Sequence, residues 1–358
     1  MTVDFIFDLL NQFLPGFSGN GFLLLFAMLI PCLILFGFIA VYALVVIYAE
    51  LKVSSFIQDK VGPMGQGFGF HAGKWGLLQP VADALKLLTK EDIIPGSANR
   101  VLFIMAPFMI FIGAFVSFVA IPFGESIIVA DLNIGIFYIL GVGSLAVIAL
   151  ILAGWSSNNK WSLYGAMRSA AQIVSYEIPA GISLITVIII TGSLNMQEII
   201  AYQQGGIFNW ILFDNPFIPV AFVIYFISAL AETNRTPFDL PESESELVAG
   251  FVTEYSGMRY AFFFLSEYAN MFVVSAVAAT GFLGGWQSPI SGYLDSPGWG
   301  VFWIMSKIAF LIFIMIWIRW TVPRLRVDQL MNVCWKVFLP IGLINIFGVA
   351  IWTVLLGS

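Results

Sequence analysis

The sequence predicts an all-α polytopic integral membrane protein, with eight transmembrane helices plus a cytoplasmic-side amphipathic helix, in a single membrane domain over residues 1–358. Three observations lead there. Of the 358 residues 60% are hydrophobic and only 10% are charged, against about 45–50% and about 25% in a soluble domain. Eight apolar stretches approach the roughly 20 residues that a helix needs to cross a bilayer core about 30 Å thick. Fourteen of the 15 basic residues fall on alternate connections between those stretches.

The predicted spans cover residues 22–48, 101–122, 134–155, 169–191, 216–231, 260–283, 301–318 and 337–356. The fifth is short and spans easily only if its helix continues through Glu232. The fourth contains Glu177 and Pro179. Proline removes a helix donor, so a kink or local unwinding is expected there. The first connection holds Lys52, Lys60, Lys74, Lys86, Lys90 and Arg100, and the third holds Lys160 and Arg168. The fifth holds Arg235 and Arg259, and the seventh holds Arg319, Arg324, Arg326 and Lys336. Intervening connections have no basic residue. Cationic connections mark the cytoplasmic side, which puts both termini on the outer side. The opening residues carry Asp4 and Asp8 and no Lys or Arg. That is the reverse of a signal-peptide n-region, so no cleavable signal is expected.

The long first connection has room for structure. Leu77, Leu78, Val81, Leu85 and Leu88 follow helical spacing, with Asp83, Lys86 and Lys90 elsewhere on the wheel. This pattern over residues 77–90 predicts an amphipathic helix lying at the inner surface. Pro80 falls in its first turn, where a missing N–H costs little. The glycine-rich stretch 62–76 before it reads as a loop.

Composition excludes several classes. No basic stripe exists to neutralise phosphates, so nucleic acid is not a partner. Cys32, Cys334 and the lone His71 are too few for a zinc site, a cysteine-ligated iron–sulfur cluster or a histidine-bound haem. His71 reads as a loop residue. Gly141-Val142-Gly143-Ser144-Leu145-Ala146 formally matches a dinucleotide fingerprint, but it lies inside a span with no preceding strand. Its small residues read as helix-packing positions.

The chemistry-bearing residues are charges that lipid should exclude. Glu177, Glu267 and Lys307 lie within spans, and Glu232 ends another. Such residues face the bundle interior and mark ion paths or proton relays, the alternative being a carboxylate that merely fixes packing. Six of the 21 acidic residues crowd one connection: Glu232, Asp239, Glu242, Glu244, Glu246 and Glu254. Phe238, Leu240, Leu247, Val248 and Phe251 interleave them, and Pro237 and Pro241 stiffen the run. A loop made only for water would not carry that apolar area, so partial burial of residues 232–257 is expected.

The segments AETNRTPFDLPESESELVAGF (231–251), EYSGMRYAFFFLSEYANMF (254–272) and GKWGLLQPVADALKLLTKE (73–91) strongly resemble subunit 1 of respiratory complex I. This family comprises a membrane component of the bacterial NADH:quinone oxidoreductase and its mitochondrial counterpart. The resemblance covers essentially the whole chain; homologous membrane subunits of energy-converting hydrogenases are the nearest alternative. It implies a membrane subunit with no redox centre of its own, inactive alone, that forms part of the quinone chamber. NADH, FMN and iron–sulfur clusters belong to partner subunits, and quinone is the substrate. It further implies a proton path through Glu232, Glu267 and Glu177. Glu242, Glu244 and Glu246 would lie where chamber and path join, with Asp83, Arg235 and Lys60 lining the cavity. Partners would be the soluble quinone-site subunits, and small membrane subunits leading to antiporter-like ones, in a bacterial inner membrane. Two departures stand out: Glu50-Leu51-Lys52 where the family commonly reads Glu-Arg-Lys, and Lys60-Val61-Gly62-Pro63-Met64 where it often reads Arg-x-Gly-Pro-Asn. A proton-coupled secondary transporter would also place carboxylates in spans, but no internal repeat of the kind common in such folds is visible.

Overall fold

The computed structural model describes residues 21–60, 62–63, 75–240, 247–290, 292, 294 and 297–356. Its helices are α1 (Gly21–Ile57), α2 (Gln79–Thr89), α3 (Arg100–Ser117), α4 (Gly135–Gly143), α5 (Leu145–Ser156), α6 (Lys160–Thr191) and α7 (Met196–Tyr202). After the short α8 (Ile211–Asp214) come α9 (Ile218–Glu232), α10 (Gly257–Phe282), α11 (Pro297–Thr321), α12 (Val327–Val333) and α13 (Leu339–Leu356). No strand occurs among the described residues.

Seven helical stretches among these residues are long and apolar enough to cross a membrane. The eighth apolar segment forms α9, whose 15 residues extend about 22 Å at the α-helical rise. The flanks of the long helices expose large apolar side chains, including Leu33, Val41 and Val45 on α1, Phe302, Phe310 and Trp317 on α11, and Ile344 and Phe347 on α13. Such surfaces belong against lipid.

Helix α6 is the axis of the bundle, packing against α5, α9, α13 and the 3₁₀ turn Gly250–Val252. Lipid gives helices no hydrophobic reason to associate, so close approach of small residues matters. A Cβ on Gly154 would lie 2.4 Å from that of Ala166, and one on Gly165 would lie 2.7 Å from Cα of Gly250. Aromatic rings fill the larger core: Phe272 on α10 meets Tyr42 at 5.0 Å, Phe118 at 5.2 Å and Phe38 at 5.4 Å between centroids. A smaller core holds Phe103, Leu150, Phe251 and Phe263, and Phe103 stacks on Tyr255 at 4.1 Å.

Several boundaries differ from those the sequence predicts. Helix α1 runs nine residues past 48, because Glu50 is buried rather than exposed at a helix end. Helix α6 starts at Lys160 rather than 169, since the Asn159 side chain caps it by accepting from the Trp161 N–H at 2.9 Å. It continues as one helix through Pro179, so of the kink or local unwinding expected at that proline, the unwinding is corrected. The interruption lies instead in the third span, where Ser144 separates α4 from α5 and its hydroxyl donates to Gly141 O at 2.7 Å. The last span begins at Val327 and passes through a π-helical turn, Cys334–Phe338.

The connections that carry basic residues meet at one end of the bundle. There α2 docks on the start of α10 through Arg259–Asp92 at 3.2 Å and Ser256, whose hydroxyl donates to Glu91 O at 3.2 Å. Gly257 permits the approach: its φ is +58°, and a Cβ would lie 3.0 Å from Lys90 O. The amphipathic α2 exposes Val81, Leu85 and Leu88, the disposition of a helix resting on a membrane surface.

Candidate functional site: a buried ion cluster beside two small cavities

Helix α9 ends at Glu232, and the chain turns sharply. Thr233 donates to Leu230 O at 3.1 Å, and Asn234 takes a left-handed conformation with φ of 52°. Gln172, buried on α6, holds this turn. Its amide nitrogen donates to Phe238 O at 2.7 Å, Ala231 O at 2.8 Å and Asn234 Oδ1 at 3.2 Å. Phe238 packs on Tyr176 with 5.4 Å between centroids. Buried acceptors left unpaired are costly, so Gln172→Leu is expected to lower stability by about 3 kcal/mol, read as the unfolding temperature of the complex containing this chain.

The turn delivers Arg235 into the protein interior, where it is 4% exposed. Its Nη1 lies 3.2 Å from Glu50 Oε2, and its Nη2 lies 3.9 Å from Glu267 Oε2. The guanidinium stacks over the Tyr268 ring at 4.2 Å. Glu50 also accepts from the Tyr268 hydroxyl at 2.7 Å and from Arg319 of α11. Two carboxylates thus face two guanidiniums, the balance a buried ionic group needs. Nearby, the buried Tyr42 hydroxyl has no hydrogen-bond partner among the described residues.

Two small cavities adjoin the cluster. One, of about 20 Å³, is lined by Glu267, Asn270, Asn234 and Glu232, among others. The second, of about 30 Å³, is lined by Glu232 and Asn270 again, with Ser117, Tyr225 and Gly143. Each is large enough to hold water. The Glu232 carboxylate makes no hydrogen bond to protein among the described residues, and its Oε1 lies 3.6 Å from where a Gly143 Cβ would be. The α4–α5 break therefore falls beside this carboxylate. Glu177 lies half-buried on α6.

The acidic connection is pinned at both ends. Asp239 pairs with Arg324 at 2.9 Å, and Glu254 accepts from Asn159 at 2.6 Å. Phe238, Leu240, Leu247 and Phe251 are buried. Tyr255 is buried just before α10, and burial pushes its phenol up to about 12 despite lowering by Ser156 and Arg259.

A family profile described as NADH dehydrogenase matches residues 30–350. The chain belongs to this family. It is 52% identical to the NADH-quinone oxidoreductase subunit designated H of Chlorobaculum tepidum over 352 residues, 95% of this chain and 96% of that protein. Identity to the same-named protein of Anaeromyxobacter dehalogenans is 45% over 355 residues, 94% of this chain and 84% of that protein. The Dehalococcoides mccartyi protein of that name is 49% identical over 322 residues, 89% of this chain and 85% of that protein.

In this NADH dehydrogenase family member, Glu267 and Arg235 are in contact, and Glu232 shares a cavity with Glu267. Asp83 stays apart: half-exposed on α2, it pairs with Lys86 at 3.3 Å. Lys60 is exposed at the rim of an open groove of about 680 Å³ between the end of α1 and α11, lined also by Lys52, Phe56, Phe313 and Trp317. Glu242, Glu244 and Glu246 lie outside the described residues. Lys307 is at the opposite end of the bundle from the carboxylates. Its ammonium donates to Gln287 O at 2.8 Å and Gly285 O at 2.9 Å, and it lies over the Trp210 ring at 4.3 Å. Sequence reasoning overlooked Glu50, Tyr268, Arg319, Gln172 and Asn270. The signal for Glu50 was available, since it closes an uninterrupted apolar run.

Proposed function

We propose that this chain forms part of the quinone chamber of a proton-translocating NADH:quinone oxidoreductase and carries the buried carboxylate path that couples quinone reduction to proton movement. The observation that carries the reading is the placement of Glu232. It is an intramembrane carboxylate that bridges two water-sized cavities, one of them shared with Glu267. Intramembrane acids facing a hydrated interior are the parts of proton relays.

The ion cluster supplies a means of coupling. Reducing a quinone to its quinol takes two electrons and two protons. In this reading the electrons come from iron–sulfur clusters in partner subunits, which also bind NADH and FMN. Arg235 divides its charge between Glu50 at 3.2 Å and Glu267 at 3.9 Å. New negative charge or proton demand in the chamber would draw on that guanidinium, and the longer contact yields first. Glu267 would then feel the change and pass it through the cavity to Glu232, with Glu177 beyond. Glu242, Glu244 and Glu246 would stand between chamber and path. Lys60 and its apolar groove fit the passage of a hydrophobic quinone tail at the membrane surface, remote from the redox chemistry. Asp83 fits only the periphery of the chamber. The gathering of basic connections at one end favours a cytoplasmic position for that end. Both termini would then lie on the periplasmic side of a bacterial inner membrane.

Purifying a tagged form of this chain from its membrane tests the assignment. The expected product is a large assembly with flavin and iron–sulfur absorbance that oxidises NADH with quinone. A lone chain that moves a solute across vesicles without partners would contradict it.

A further inference from the structure

The two cavities share four wall residues, Ala146, Ile173, Glu232 and Asn270. Ala146 and Ile173 have no side-chain hydrogen-bonding group. Among the shared wall residues, Glu232 and Asn270 are therefore the ones whose side chains can hold a chain of water joining the cavities. Asn270 stands on α10 three residues beyond Glu267, within one turn of the same helix face. Its carboxamide makes no hydrogen bond to protein among the described residues, yet it is only partly buried and lines both spaces. An amide inside a membrane protein needs partners. With none among the described residues, it is disposed to bind water on both sides, donating through nitrogen and accepting through oxygen.

We propose that Asn270 is the positioning residue that joins the two cavities into one hydrogen-bonded water path past Glu232. An amide donates and accepts but does not itself carry the proton onward at neutral pH. Its role is to orient water between Glu267 and Glu232. This inference rests on the carboxylate-path reading above and adds a residue to it.

The test uses the intact purified complex in liposomes, with Asn270→Leu, Asn270→Ser and Glu232→Gln compared for proton translocation driven by NADH and quinone. Asn270→Leu fills the junction with an apolar side chain and is expected to slow translocation about tenfold, short of the roughly 100-fold expected when a group that transfers the proton itself is removed. Asn270→Ser keeps a hydroxyl and leaves space for water, so it is expected to restore most of the rate. That rescue would not follow from a packing role. Wild-type translocation in Asn270→Leu, with Glu232→Gln defective, overturns the role of Asn270 and leaves the path reading standing. Wild-type translocation in Glu232→Gln overturns the path reading itself. If Asn270→Leu fails to assemble, the smaller apolar Asn270→Val is judged by the same rate, and a wild-type value again overturns the proposal.

Discussion

Arg235→Met is expected to destabilise the chain by about 3–5 kcal/mol, the range for removing one partner of a buried ion pair. The side chain is 4% exposed and binds Glu50 while approaching Glu267. Its loss leaves two carboxylates in a low-dielectric interior. Arg319 remains to compensate, but it is partly exposed and pairs with Glu50 rather than Glu267. Lysine is not an adequate substitute, since a point charge cannot span two carboxylates as a planar fork does. Thermal unfolding of the assembled complex, together with the amount of this subunit retained, measures the effect. The double variant Arg235→Met/Glu50→Gln is expected to recover part of the loss by removing a carboxylate left behind. Equal stability of wild type and Arg235→Met would show that the cluster does not support the fold.

Glu232→Gln is expected to do the opposite: keep the fold and lose the chemistry. Glutamine nearly matches glutamate in shape. The carboxylate has no protein hydrogen bond to forfeit among the described residues, so assembly and unfolding temperature should match wild type. An amide cannot take and release a proton at working pH. NADH-driven proton translocation is therefore expected to fall on the order of 100-fold, as for removal of a group that transfers protons directly. Undiminished translocation by a fully assembled Glu232→Gln complex would remove Glu232 from the path.

The bundle was largely legible in the sequence because lipid imposes strong rules. Long uncharged runs had to be helices, and the alternation of basic connections ordered them. What the sequence hid was tertiary. Glu50 and Arg319 each follow a hydrophobic run, where a charge reads as a helix reaching water. They are distant in sequence and meet only because α11 packs beside α1. Pro179 predicted a kink or local unwinding, yet α6 stays one helix through it, and the helix that is interrupted breaks at Ser144, opposite Glu232. Periodicity does not reveal which helix opens beside which carboxylate. Gln172 and Asn270 carry no charge and belong to no recognisable pattern. Their significance appears only when the turn at 231–238 and the two cavities are in place.

Redox-triggered infrared difference spectroscopy of the purified complex tests most directly whether Glu232 trades protons in step with quinone chemistry. A carboxyl carbonyl band is expected to change when quinone is reduced, shift on exchange into D₂O, and vanish in Glu232→Gln. A wild-type spectrum with no such band, or one that survives unchanged in Glu232→Gln, would contradict the account.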